Sequence, residues 1–151
     1  MQHFKKTNLI YLFFFILFTG CSLKEDSTIA LAPKDIRGFV IGFTSKEVNV
    51  SKNINKDDSF FLNKDAIFTF NENDVYTTQV NNEVVMEGNF SYRRLNNTIS
   101  KIVTLYSNSN GEQTYTFNLS FLNKKEGTWE GSFGNGNLTI ERGTFRILKD
   151  R

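Results

Sequence analysis

An all-β chain, folded as an antiparallel meander of about eight or nine strands, is what the sequence predicts, and three observations predict it. Apolar and polar residues alternate with period two in run after run. Asn and Gly, the residues that tolerate tight turns, separate the runs at short intervals. Beyond residue 33, no window carries an apolar stripe at the i, i+3, i+4 spacing of a helix.

The opening residues stand outside that pattern. Lys5 and Lys6 precede an uninterrupted apolar run at 9–18 that ends in Thr19-Gly20-Cys21. At 1.5 Å per residue such a run covers about half of a bilayer's hydrocarbon core, so it reads as a secretory signal over 1–20 rather than a membrane span. Residues 21–33 read as a flexible tether of mixed charge with the only proline, Pro33, at its end, and 34–151 as a single domain.

Within the domain the runs fall at 36–43, 59–62, 66–71, 74–80, 83–93, 98–107, 113–122, 126–133 and 137–148. Val84, Met86, Gly88, Phe90 and Tyr92 share one face, with Glu83, Glu87, Asn89, Ser91 and Arg93 on the other. Tyr115, Phe117, Leu119 and Phe121 alternate with polar residues in the same way, as do Gly127, Trp129, Gly131 and Phe133. Such strands suit a sheet packed on one face and wet on the other. Asn81-Asn82 and Asn96-Asn97 are expected to make two-residue hairpin turns, and Asn110-Gly111 and Gly134-Asn135-Gly136 are stronger turn signals. In the last run Leu138 and Ile140 lie on one parity while Phe145 and Ile147 lie on the other, so a bulge near Arg142-Gly143 is expected to bring all four to one core. A barrel is preferred to a sandwich because closure leaves no free edge on strands this rich in Phe.

Composition excludes more chemistry than it suggests. The chain carries 18 Lys and Arg against 16 Asp and Glu, and removing Lys5 and Lys6 with the leader leaves a balanced domain. That balance offers no basic face for nucleic acid; Arg93-Arg94 and Lys124-Lys125 lie beside turns. The only His is His3 and the only Cys is Cys21, so the domain holds no His- or Cys-based catalytic pair, no His/Cys zinc site and no disulfide. Catalytic residues, metal ligands and cofactors are therefore all read as none. Glu83 and Glu87 sit two pleats apart on a polar face, beyond the spacing of a glycosidase pair, and Glu130 also points outward. Asn53-x-Asn55-x-Asp57-Asp58 has oxygen ligands at calcium-loop intervals. It has Asp58 where the sharp turn needs Gly, and Lys64 where the bidentate Glu belongs, so it reads as a polar loop.

Phe18-Thr19-Gly20-Cys21 resembles a bacterial lipobox, with Phe in place of the usual Leu at its first position. The resemblance implies a diacylglycerol on the Cys21 thiol, cleavage before it, and a stable acyl anchor of palmitate type in a membrane. Lys24-Glu25-Asp26, close behind the Cys, resembles the signal that sends Bacteroidetes-type lipoproteins to the exterior of the outer membrane; the periplasmic face is the alternative. Asp26-Ser27-Thr28 is similar to a short glycosylation pattern of the same bacteria. Phe-Thr-Phe-Asn-Glu-Asn-Asp-Val-Tyr at 68–76, with Gly88-Asn89-Phe90-Ser91-Tyr92 after a hairpin, resembles the middle strands of bacterial lipocalin-like domains. The Gly-x-Trp of many lipocalins is absent: Gly38-Phe39-Val40 stands there, and the sole Trp is Trp129.

The expected function is then non-enzymatic: a lipid-anchored barrel that binds a small hydrophobic ligand or another envelope component. From parity and aromatic character its pocket is expected to be lined by Phe68, Phe70, Met86, Phe90, Phe117 and Trp129. The alternative is a protein-interaction or inhibitor lipoprotein of immunity or accessory type, without a pocket. A carboxylate-based hydrolase is a third and weaker reading.

Overall fold

Period-two alternation with one buried face leaves a strand little choice of register, and here the runs close on themselves. The computed structural model describes residues 29–50, 65–108, 111–133 and 139–151. Its strands are β1 (Val40–Val50), β2 (Asp65–Phe70), β3 (Val75–Val80), β4 (Glu83–Arg94), β5 (Ile99–Asn108), β6 (Gly111–Phe121), β7 (Glu126–Phe133) and β8 (Thr139–Lys149). Each strand pairs antiparallel with the next, and β8 returns to β1, making a closed barrel of eight strands among the described residues. This is the up-and-down meander that the sequence predicts, and the sandwich alternative falls away. The run at 59–62, the calcium-like loop at 53–58 and the turn at 134–136 lie outside the described residues, as do 1–28, which carry the leader, Cys21 and Lys24-Glu25-Asp26.

Inside, an aromatic core holds the strands together. Phe43 meets Phe68, Phe117 and Trp129 at ring-centroid distances of 5.1, 5.3 and 5.7 Å, in edge-on or tilted geometries favoured by ring quadrupoles. Phe121 packs edge-on against Phe145 at 4.9 Å. Inward glycines are covered by neighbouring rings: the Trp129 indole lies over Gly143, its cross-strand partner, and its Nε1 donates to the Thr44 carbonyl at 3.2 Å.

Four expectations are corrected. The first strand begins at Val40, not at residue 36, because Gly38 takes φ +80° and ends the extended run before it. Residues 31–39 instead form a strap across one end of the barrel. The Leu31 and Ala32 amides both donate to the Asn97 carbonyl, Gly38 N donates to the Phe70 carbonyl, and Tyr92 Oη donates to the Pro33 carbonyl at 2.7 Å. Ala32 and Ile36 are fully buried, so the last residues of the sequence-read tether belong to the folded domain.

The bulge expected near Arg142-Gly143 does not form in β8. β8 alternates without a break from Thr139 to Ile147, with Glu141 facing in, while β1 slips its register between Ser45 and Glu47, opposite Gly143 and Arg142. Ile140 therefore stays on the outer parity and does not join Phe145 and Ile147 in the core, where Thr139 and Glu141 take the inward slots instead. A further slip, at Val85 in β4, turns Val84 out of the core, and its side chain is 60% exposed. Finally, Asn81 and Asn82 both take positive φ as expected, but Asn96-Asn97 does not form a two-residue turn. The connection from β4 to β5 is longer, and Asn96 Oδ1 accepts from the Thr98 and Ile99 amides.

Candidate functional site

Phe68, Phe70, Met86, Phe90, Phe117 and Trp129 all face the barrel interior and are buried. The five aromatic residues, however, are spent largely on one another. Phe68 stands 5.3 Å from Phe117 and 6.0 Å from Phe70, Phe70 is 4.9 Å from Phe90, and Phe117 is 5.7 Å from Trp129. They form a packed floor. Met86 and Phe68 both pair across to Thr78, Phe70 to Tyr76 and Phe90 to Thr104, so the floor adjoins different surroundings.

Those surroundings are polar. Ser45 on β1, Thr78 on β3, Thr104 on β5, and Thr139 and Glu141 on β8 all point inward and are buried. Tyr76 on β3 is fully buried, and Tyr106 and Tyr115, half-buried, pack against the same core. The alternation that positions them is the one that positions the Phe residues; polar side chains simply occupy the inward slots here. Gly88 and Gly131, each inward and without a side chain, sit beside Tyr76 and Glu141 in the register.

Hydrogen bonding within this group is partial. Tyr115 Oη donates to Tyr106 Oη at 3.2 Å, and Ser45 Oγ donates to Glu141 Oε2 at 3.3 Å. The hydroxyls of Tyr76 and Thr78, and of Ser100 nearer the strap, are buried and have no hydrogen-bond partner. Thr104 stands near enough to Tyr76 to ease ionisation of its phenol, but not in hydrogen-bond geometry. Burial dominates and raises the Tyr76 pKa above 10.0. Tyr115 is pushed up further, first by burial, then by its bond to Tyr106 and by the fields of Tyr106, Tyr76 and Glu141. Sequence reasoning missed this group because it sought aromatic lining. The available signal was Glu141 sharing the parity of Phe145 and Ile147.

Among the described residues, concavities lie on the outer wall. One, an open groove of about 640 Å³, runs over β1, β2, β7 and β8 past Ile67, Leu122 and Leu148, the two leucines being well exposed. Another, of about 600 Å³, is rimmed by Lys46, Glu47 and the Arg142–Glu130 ion pair at 2.7 Å. Glu83 and Glu87 are exposed on the outer face. Among the described residues no cluster of three or more His, Cys, Asp or Glu is arranged to hold a metal ion. No protein family, curated protein or solved structure matches the chain.

Proposed function

We propose that this chain is a non-enzymatic bacterial lipoprotein, anchored through Cys21, displayed on the exterior of the outer membrane, whose lipocalin-like barrel binds a small molecule on the polar side of its aromatic floor. The observation that carries the reading is the pair of buried, unpartnered hydroxyls on Tyr76 and Thr78. Buried polar groups in folded proteins are nearly always bonded, and a donor or acceptor left open in the interior is a place where a ligand's own polar group gains a bond without displacing a protein one. The aromatic floor supplies the apolar contact that small-molecule sites share. Native mass spectrometry of the full-length protein extracted from its own membranes tests this: a reproducible small-molecule adduct, lost in Tyr76→Phe/Thr78→Val, is the expected result. A clean apo mass, together with no shift in melting temperature on adding fatty acids, haem, sterols or aromatic alcohols, refutes it.

Localisation is tested separately. Cys21→Ala abolishes lipid labelling and releases the protein from membranes. Replacing Lys24, Glu25 and Asp26 by Ala converts it from protease-accessible to protected in intact cells. Unchanged behaviour in either case removes that part of the proposal.

A second reading, a protein-interaction module, draws on the outer groove at Ile67, Leu122 and Leu148, where large apolar side chains are exposed together. Leu122→Asp/Leu148→Asp would then break a crosslinked complex while leaving small-molecule binding intact.

A further inference from the structure

We infer that the strap end of the barrel is a docking face for the anionic lipid surface of the membrane that anchors the chain, so that the protein stands on its strap with the opposite end turned away. The inference rests on the Cys21 anchor proposed above and goes beyond it by assigning the orientation of the barrel and the residues that touch lipid.

Antiparallel closure gathers the strap, the β2–β3, β4–β5 and β6–β7 connections and the last residues of β8 at one end. Ile29, Leu95, Leu122 and Leu148 are all exposed there. Three of them have a basic neighbour in the chain: Arg93-Arg94-Leu95, Leu122-Asn123-Lys124 and Leu148-Lys149. An aliphatic tip beside a cation suits a bilayer surface, where the apolar side chain enters the acyl boundary and the cation stays among headgroup phosphates.

Charge is distributed to match. Residues 29–39, 71–74, 93–98, 122–126 and 146–151, which make up this end, carry nine Lys and Arg against five Asp and Glu; the remaining described residues carry three against seven. The barrel is therefore positive at the strap and negative elsewhere. All five acids of the strap end are already held in ion pairs: Asp35 and Asp74 with Arg37, Asp35 and Glu72 with Arg151, Asp150 with Lys125, and Glu126 with Arg146. Lys34, Arg93, Arg94, Lys124 and Lys149 form no ion pair with a described residue. Each basic residue brought to an anionic leaflet strengthens binding by about fivefold. A protein seated in the groove would use Leu122 and Leu148 alone, whereas cations spread over several connections fit a broad charged surface.

The anchor delivers this same end. The described chain begins at Ile29, and the Leu31 and Ala32 amides fix it to the Asn97 carbonyl in the β4–β5 connection. Cys21 and Ile29 are eight residues apart in the sequence, which is at most about 29 Å of extended chain. The strap end is thus kept within reach of the headgroups, and the high local concentration lets a face too weak to hold the protein unaided still set its orientation.

The test uses the full chain purified from its own membranes and placed in nanodiscs of phosphatidylglycerol and phosphatidylethanolamine, or of phosphatidylcholine, each with a doxyl-labelled lipid. Intact mass reports separately whether Cys21 is acylated, so failure of the anchor and failure of the docking face are told apart. In anionic discs the NMR methyl signals of Leu95, Leu122 and Leu148 should broaden while those of Val84 and Leu105 stay sharp. In phosphatidylcholine that contrast should fall. Lys124→Ala/Lys149→Ala should lower the docked-to-free ratio about thirtyfold. Salt at about 1 M, where the screening length is ~3 Å, should act in the same direction without any substitution, and so decides the matter if the variant does not fold. Equal broadening in the two lipids, or broadening of Val84 and Leu105 as strong as that of the three leucines, overturns the docking face. So does a crosslinked protein partner that is lost in Leu122→Asp/Leu148→Asp when no preference for anionic lipid is seen.

Discussion

At the scale of single residues, the interior combines unusually tight contacts with unmet polar groups, and the two respond to mutation in opposite directions. A Cβ at Gly143 would lie 1.8 Å from the Thr44 carbonyl oxygen and 2.7 Å from Trp129 Nε1, the two atoms that hydrogen-bond to each other across the glycine. Backbone cannot yield as a flexible side chain does, so Gly143→Ala should lower unfolding free energy by about 3 kcal/mol in urea titrations. Gly111 contrasts with it: φ is +98° but nothing stands within 4 Å of an added Cβ, so Gly111→Ala should cost only the ~1 kcal/mol of a strained backbone. Tyr76→Phe and Thr78→Val should do the reverse of Gly143→Ala. Each removes a buried hydroxyl that has no partner, at nearly constant volume, and should stabilise the ligand-free protein by about 1 kcal/mol. A loss of stability in both would mean that the hydroxyls are bonded in the ligand-free state. A residue that weakens the free protein while strengthening a complex is the pattern expected of a binding site.

Among the elements, the strands were legible in the sequence and the strap was not. Met86, Phe90, Phe117, Leu119 and Trp129 sit on the face that parity assigned, because a slip of one residue would expose a whole apolar set. Residues 36–39 pass for a strand start, and the one sign against it is Gly38, whose positive φ is invisible until the chain is seen to turn. The bulges escaped for a related reason: Lys46 and Val85 leave no compositional mark on the strands that absorb them. The strap's docking is electrostatic as well as apolar, and so has a definite pH dependence. Burial pulls the Asp35 carboxyl upward, but the Arg37 amide, the Arg37 guanidinium, the Ile36 amide and Arg151 outweigh it and hold the pKa below 3.8. Asp150, hydrogen-bonded to Lys125 at the same end, is also held below 3.8. A carboxylate whose pKa is lowered by folding contributes stability that is full above the unfolded value and is lost as pH falls through the folded one. Acidification from pH 5 to about 2.5 should therefore loosen the strap first. In NMR, the Leu31 and Ala32 amide shifts should move while those of Ile102 and Phe117 hold; simultaneous change would show that the strap is not a separate unit.

For the whole molecule, closure into a barrel makes every strand an inner strand, so inward slots are set by geometry and filled by whatever the sequence places there. That is why the fold could be read and the site could not. Hydrophobic parity finds the floor, but a Thr, Tyr or Glu in an inward slot looks in the sequence like the polar half of an alternating strand. Thr78, Thr104 and Glu141 all escaped in this way. The same polar interior sets a limit on stability at high pH. Tyr76, Tyr92 and Tyr115, three of the chain's five tyrosines, have pKa values raised above 10.0, in each case mainly by burial of the phenol. Burial favours the neutral form, so in the native state these protons are retained where the unfolded chain gives them up. Their contribution to stability is intact below pH 10 and declines as pH rises past it towards the folded values. Urea midpoints should thus be steady from pH 7 to 9 and fall between pH 10 and 11.5. Absorbance at 295 nm should show part of the tyrosine signal appearing only as the barrel unfolds. Tyr76→Phe should remove one share of that alkaline loss, because it deletes a group whose ionisation drives unfolding. If all the tyrosines of the native protein titrate together near pH 10, the phenols are solvated, and neither the buried polar group nor a site built on it can stand.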